Sequence, residues 1–190
     1  MPLNLLRRFA QSLSGRSSGG SKTLRAPRFV PVVSVLEERS VPATFTVTNL
    51  LDTMTPGSLR YEVAQANAAP GADTIRFATG LAGTIHLASD IALTTDLTIE
   101  GSRAAVTVDG GNATRLFDVT GGAHVSIQSL TLADGTATGD TLDTPNVGPT
   151  TMGGAVFVDA STLAVSDVTF VNDRAVGGPN LAAGGAIAAE

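Results

Sequence analysis

The 190-residue sequence contains no cysteine and no tryptophan, and its only lysine is Lys22. Without cysteine there is no disulfide framework and no thiolate metal site. Charged residues make up 15% of the chain and aromatics 4%, so the Glu and Lys inventory of a helical bundle is missing. Long apolar runs are missing as well. The best candidate, residues 29–36, is interrupted by Pro31 and falls well short of the roughly 20 residues that a bilayer-spanning helix needs. The P-loop, the dinucleotide fingerprint, G-x-S-x-G and H-E-x-x-H are all absent. Gly-Gly-Ala triplets occur, but no helix follows them, so they are not phosphate loops.

What is present points to strands. Glycine contributes 21 residues, and Ala, Thr, Ser and Val are abundant in the remainder. That mixture suits many short strands joined by tight turns. Charge is segregated. Residues 1–43 carry seven basic and two acidic side chains, 7 − 2 = +5, and residues 44–190 carry five Arg and fifteen acids, 5 − 15 = −10. An acidic body repels phosphate backbones, so no nucleic-acid partner is expected. The basic tail suits an anionic lipid surface or a sorting machine.

The chain divides into three regions: a basic leader or export segment over 1–43, an N-terminal cap of strand, helix and strand over 44–77, and a run of short strands over 78–190. Ser14-Gly15-Arg16-Ser17-Ser18-Gly19-Gly20-Ser21 has linker composition, and residues 1–28 read as disordered. Val41-Pro42-Ala43 offers the small residues of a peptidase site. The leader departs from a classical signal peptide in three ways: Pro31 breaks the apolar run, Glu37-Glu38-Arg39 follows it, and the basic region is overlong. Arg7-Arg8-Phe9 has twin-arginine character, but no apolar segment follows it.

From Thr44 the pattern changes. Residues 45–48 alternate apolar and polar and read as a strand. Thr55-Pro56 supplies an N-cap and a first-turn proline for a helix over 56–68. Leu59, Val63 and Ala66 form its apolar stripe, and Pro70-Gly71 ends it. Short strands are expected at 74–77, 84–87, 91–93, 97–99, 106–108, 116–119, 125–127, 130–132, 155–158, 163–165 and 168–170. Gly, Asp, Asn and Thr fill the gaps. No helix-length segment separates these strands, which argues against a doubly wound α/β fold.

Internal repetition selects the architecture. Residues 125–132 align with 163–170 at an offset of 38, with apolar residues matching at the first, third, sixth and eighth places. Gly121-Gly122-Ala123, Gly153-Gly154-Ala155 and Gly184-Gly185-Ala186 form a second series, interrupted by a Gly/Pro/Thr-rich insertion at 136–151. A period near 20, or a multiple of it, with three tiny strands per turn describes an all-β, right-handed parallel β-helix solenoid. Its N-terminal helix would cap the first coil. The alternative is a β-sandwich, whose strands usually run longer, at about five or six residues. The chain stops at the start of another Gly-Gly-Ala repeat. The expectation is a truncated product whose last, uncapped coil self-associates.

Three segments carry resemblances. Arg28-Phe29-Val30-Pro31 with Leu36-Glu37-Glu38-Arg39-Ser40-Val41-Pro42-Ala43 resembles the "L-E-x-R" leader of large surface proteins of planctomycete-type bacteria, which implies export. Gly57-Ser58-Leu59-Arg60, Ala64-Gln65-Ala66-Asn67 and residues 70–77 are similar to the entry segment of bacterial β-helix proteins of the pectin-lyase-like superfamily. Gly153-Gly154-Ala155-Val156 and Gly184-Gly185-Ala186-Ile187 look like the G-G-A-I half of the repeat of chlamydial polymorphic outer-membrane proteins. The partner F-x-x-N is only approximated by Phe170-Val171-Asn172. The resemblance covers roughly residues 44–190 and implies the superfamily, not chlamydial-type function. With the repeat, the acidic body, the export-like leader and the lack of a catalytic set, the expectation is an extracellular or cell-surface protein, outer-membrane associated, with a structural, adhesive or glycan-binding role. Its superfamily also contains polysaccharide lyases and glycoside hydrolases.

The residues themselves compel no catalytic, cofactor or metal site. His86 and His124 are isolated and read as outward-facing surface residues. Asp90, Asp96, Glu100, Asp109, Asp118, Asp134, Asp159, Asp167 and Asp173 read as solvated turn acids. Asp109-Gly110 and Asp134-Gly135 suit corners. Carboxylates on neighbouring rungs could work as acid and base or hold calcium, but the sequence does not show which ones align. Arg103, Arg115 and Arg174 stand in no catalytic motif. The expected partner is a cell-surface polysaccharide, with no transmembrane segment and no nucleic acid.

Overall fold

The computed structural model describes residues 41–101, 106–138, 151–176 and 182–190. The leader up to residue 40, Arg103 and most of the insertion, 139–150, lie outside the described residues.

The chain enters through β1 (Thr44–Val47) and a loop, then forms one helix, α1 (Leu59–Ala68). The expected cap was Thr55, but the N-cap is Ser58, whose hydroxyl accepts the Tyr61 N–H at 3.3 Å. Gly57 explains the shift. It takes φ +88, and its carbonyl accepts the N–H groups of Thr48 and Asn49, so the helix starts only after that turn. The buried Glu62 carboxylate then accepts the Gly57 N–H at 2.8 Å, which satisfies a second donor near the helix start. Leu59, Val63 and Ala66 are buried as the stripe predicts. Among the described residues no helix is long and apolar enough to cross a membrane.

After α1 the chain is β throughout. The elements are β2 (Asp73–Phe77), β3 (Gly83–His86), β4 (Ile91–Leu93), β5 (Leu97–Glu100), β6 (Val106–Asp109), β7 (Phe117–Val119), β8 (His124–Gln128) and β9 (Thr131–Ala133). They continue as β10 (Thr136–Thr138), β11 (Thr151–Met152), β12 (Val156–Val158), β13 (Thr162–Ser166), β14 (Thr169–Val171), β15 (Arg174–Val176), β16 (Ala182–Ala183) and β17 (Ile187–Ala189). Every strand pair among the described residues is parallel, which excludes the antiparallel sandwich. Three main sheets result, with orders β1-β2-β5-β8-β13, β3-β6-β9-β14 and β4-β7-β12-β17. Successive strands visit the sheets in rotation, and each return to a sheet lands beside the previous visit. Two short pairs, β10-β15 and β11-β16, extend the later circuits.

Alternation within each strand explains the core. In β5 the buried residues are Leu97 and Ile99, and in β8 Val125 and Ile127, while Thr98 and Ser126 face outward. Parallel register stacks like on like: Ile75 on Ile99 on Ile127, Ile85 on Val108 on Leu132, and Ile91 on Phe117 on Val156. All nine of these side chains are buried. Each is worth roughly 1.5–3 kcal/mol relative to exposure.

The expected offset of 38 is the observed register, with Val125 beside Leu163 and Ile127 beside Val165. Successive circuits are uneven: Thr74 pairs with Thr98, 24 residues on, and Leu97 with Val125, 28 on. The Gly-Gly-Ala series is corrected. Gly153 and Gly184 are equivalent, since Val156 pairs with Ile187. Gly121 is not their equivalent, because Val156 pairs with Phe117 instead. The Gly121-Gly122 turn lies between β7 and β8, where Gly122 N–H meets Ser161 Oγ of the next circuit at 3.1 Å. Several corners use residues other than glycine. Ser129 and Asp167 stack with φ +53 and +52, and Asp134 and Asn172 with φ +50 and +56. Asn and Asp tolerate this left-handed geometry better than most residues.

Candidate functional site

The third sheet presents one polar side chain outward at its centre. In β7, Phe117 and Val119 turn in, which sends Asp118 out. Asp118 stands in register between Ala92 and Phe157. One circuit earlier, Asp90 is held at the start of β4, where the next residue, Ile91, donates its N–H to the Leu116 carbonyl. On the following circuit, the Thr136 N–H bonds the Thr114 carbonyl at 2.9 Å, which brings β10 against the segment before β7.

These connections enclose a cleft of about 300 Å³ lined by Asp90, Thr114, Arg115, Asp118, Thr136 and Thr138, with Ala113 and Ala137. Arg115 is fixed at its rim. Nε donates to the Gly153 carbonyl at 3.0 Å and NH2 to the Met152 carbonyl at 2.9 Å, and the guanidinium lies 5.1 Å over the Phe157 ring. Thr136 is buried, and its Oγ1 has no hydrogen-bond partner among the described residues. The cleft thus holds two carboxylates, one guanidinium and three hydroxyls, with almost no apolar lining beyond two alanines. Such a surface hydrogen-bonds a polyol well and a hydrocarbon ligand poorly.

No protein-family model matches this chain, and no curated protein matches it. The geometry is therefore the whole basis for reading the cleft.

The remaining singled-out residues fall elsewhere. His86 is exposed and pairs with Asp109 of the next circuit, Nδ1 to Oδ2 at 3.0 Å. His124 meets Asp96 of the previous circuit, Nδ1 to Oδ1 at 3.1 Å. Sequence spacing hides both pairs, because register across circuits creates them. The backbone N–H of His124, and then its ring, hold the Asp96 carboxyl below the usual range. Glu100 pairs with Arg76 on the exposed face of the first sheet, at 2.9 Å. Asp109 Oδ1 accepts the Gly111 N–H at 2.6 Å, the turn role expected of it. Asp134 and Asp167 occupy left-handed corners. Asp159 and Arg174 are exposed. Among the described residues no group of three or more His, Asp or Glu could hold a metal ion.

Asp173 is different. Its Oδ1 accepts the Gly135 N–H at 2.8 Å, and Oδ2 is buried without a partner. Burial pushes its carboxyl up to about 6. Backbone N–H bonds from Gly135 and Val171 oppose that rise, and the Asp134 charge adds to it. A folded-state pKa above the unfolded one means that this group favours folding in acid and loses that contribution as pH rises through about 6. Asp173→Asn keeps an acceptor for Gly135 and removes the charge. The variant is expected to be more stable than the parent at pH 8, by about 1 kcal/mol once solvent screening of this half-buried group is allowed for. At pH 4 the difference disappears. Urea titrations at both pH values read it, and an equal difference at the two would show that Asp173 does not titrate abnormally.

Proposed function

We propose that this chain is an exported or cell-surface right-handed parallel β-helix of the pectin-lyase-like kind that binds a glycan through the Asp90–Arg115–Asp118 cleft. Three parallel sheets visited in rotation support the solenoid reading, and crossover connections between parallel strands are right-handed in about 98% of cases. The observation that carries the binding role is the cleft itself: Asp90, Asp118, Thr114, Thr136 and Thr138 place carboxylate and hydroxyl groups around a space of about 300 Å³, which suits a saccharide unit. The export-type leader supports a location outside the cell, where such ligands occur. A structural or adhesive role suits the outward faces of the same parallel sheets.

A second reading is kept by one observation. Asp90 and Asp118 come from successive circuits into one cleft, and paired carboxylates are the machinery of glycoside chemistry. The test separates the two. The full chain is titrated with acidic and neutral polysaccharides by affinity electrophoresis, and the same mixtures are assayed for new reducing ends and unsaturated products. Binding without product is the expected result. Asp90 and Thr138 are exposed, so the double variant Asp90→Asn, Thr138→Ala leaves the fold intact while weakening binding about tenfold. Product release would establish the lyase or hydrolase reading, and binding unchanged in the double variant would remove the cleft from the proposal.

A further inference from the structure

Asp73 opens β2 and is 1% exposed. A carboxylate so deeply buried needs partners for both oxygens. Oδ1 has one, the backbone N–H of Ala43 at 2.7 Å. Oδ2 has none among the described residues. The Ala43 carbonyl in turn accepts the Thr74 N–H at 2.9 Å, so Ala43 is bonded to the folded body on both of its backbone groups. On its N-terminal side the situation reverses: Pro42 is exposed, and Val41 is 74% exposed. Among the described residues, the boundary between backbone bonded to the body and backbone without such a bond therefore falls at the Pro42–Ala43 peptide bond. A single amide N–H is a poor match for this carboxylate. It brings one donor and no charge to a buried carboxyl group with two oxygens. An α-ammonium at the same atom would bring three donors and a full positive charge.

We propose that the Pro42–Ala43 bond is a processing site, and that Asp73 is a preformed receptor for the Ala43 ammonium that cleavage releases. The step is a hydrolysis carried out by a post-proline peptidase. Water adds its oxygen to the Pro42 carbonyl carbon, and the bond to the Ala43 nitrogen breaks. Pro42 leaves as a carboxylate on the leader, and the Ala43 nitrogen takes up protons to become the ammonium. An α-amino group, with an ordinary pKa of about 7.7–8.0, is mostly charged at neutral pH even unaided. The charge forms 2.7 Å from Asp73 Oδ1, with Oδ2 open to a second N–H. Cleavage one bond later, after Ala43, is the cut that the Val41-Pro42-Ala43 pattern suggests. It would sever Ala43 from β1 and leave Asp73 with no partner. The folded body thus selects the bond before Ala43.

The test uses the full chain and the native protein. Intact-mass analysis of the protein from its source cells is expected to find Ala43 as the first residue, whereas Thr44 or an uncut leader would overturn the proposal. In parallel, the full recombinant chain is cut with a post-proline endopeptidase, and the cut and uncut forms are melted between pH 6 and pH 10. The cut form is expected to melt several degrees higher at pH 6–7 and to lose that advantage as the ammonium deprotonates. Equal melting of the two forms at every pH would overturn it. Asp73→Asn is expected to abolish the increment. Should that variant fail to fold, amine acylation of the cut parent protein decides. An ammonium pKa raised by one unit lowers the reactive amine fraction about tenfold relative to the same product in denaturant, and equal acylation rates would sink the receptor.

Discussion

Replacing Arg60 with alanine is expected to cost about 3 kcal/mol of stability, the low end of the range found when one partner of a buried ion pair is removed, because this pair is part-buried. Arg60 Nε and NH2 grip the Asp52 carboxylate at 2.7 and 3.1 Å. Asp52 is only 7% exposed, and its second oxygen also accepts the Ala88 N–H at 2.8 Å. The same guanidinium donates to the carbonyls of Ser89 and Asp90. One side chain therefore pins the loop before α1 to the turn before β4. Truncation strands a buried carboxylate and frees both segments. Urea unfolding measures the loss, and a change below about 1 kcal/mol would class the pair with ordinary surface bridges. The double variant Arg60→Met, Asp52→Leu is expected to recover most of the stability, because the stranded charge leaves with its partner. Because Arg60 NH1 holds the Asp90 carbonyl at 2.9 Å, the single variant should also weaken glycan binding at the cleft.

Phe117→Ala is expected to cost a similar amount, about 3–5 kcal/mol. Phe117 is fully buried and stacks between Ile91 and Val156. Val156 sits in β12, laddered to β7 and β17, and Ile91 in β4, laddered to β7, so neither can collapse freely into the space left behind, and much of the cavity persists. The same truncation unseats β7, whose next residue is Asp118, so the cleft should lose affinity along with the stability. The contrast is Val165→Ala. Val165 pairs with the fully buried Ile127 but is itself 42% exposed, and its loss should stay below about 1 kcal/mol. Denaturant midpoints of the two variants read the gradient, and equal effects would mean that burial is uniform along the circuits.

Much of the strand pattern was legible because its cause is local. Ile91-Ala92-Leu93 has apolar residues two apart and a polar turn on either side, and β4 occupies those three residues. Leu59, Val63 and Ala66 lie four and three apart, and they are the buried stripe of α1. The elements missed were β10, β11, β15, β16 and β17. Thr136-Ala137-Thr138 and Arg174-Ala175-Val176 have no strong alternation of their own; they become strands by pairing with each other across a circuit. The helix cap moved from Thr55 to Ser58 because the Gly57 carbonyl is engaged by the two residues that follow β1, Thr48 and Asn49, a contact that propensity at position 55 does not contain.

The candidate cleft shows the same division more sharply. Asp90, Arg115 and Asp118 stood out in the sequence only as scattered charges. Asp90 and Asp118 are brought to one face by the register of Ala92 against Asp118, and Thr136 arrives through its bond to Thr114. His86 with Asp109 and His124 with Asp96 are pairs of the same origin.

By itself the sequence determined the short alternating strands, the helix stripe, the acidic body and the offset of 38 between residues 125–132 and 163–170. Side-chain period and turn chemistry act within a few residues, so they can be read along the chain. Only the tertiary structure decided which circuits lie in register, which Gly-Gly turns are equivalent and which polar side chains meet. The number of residues per circuit varies without setting them, 24 in one circuit and 38 in another. A loop of any such length closes at similar entropic cost, so the register is set by stacking the buried side chains rather than by the spacing itself.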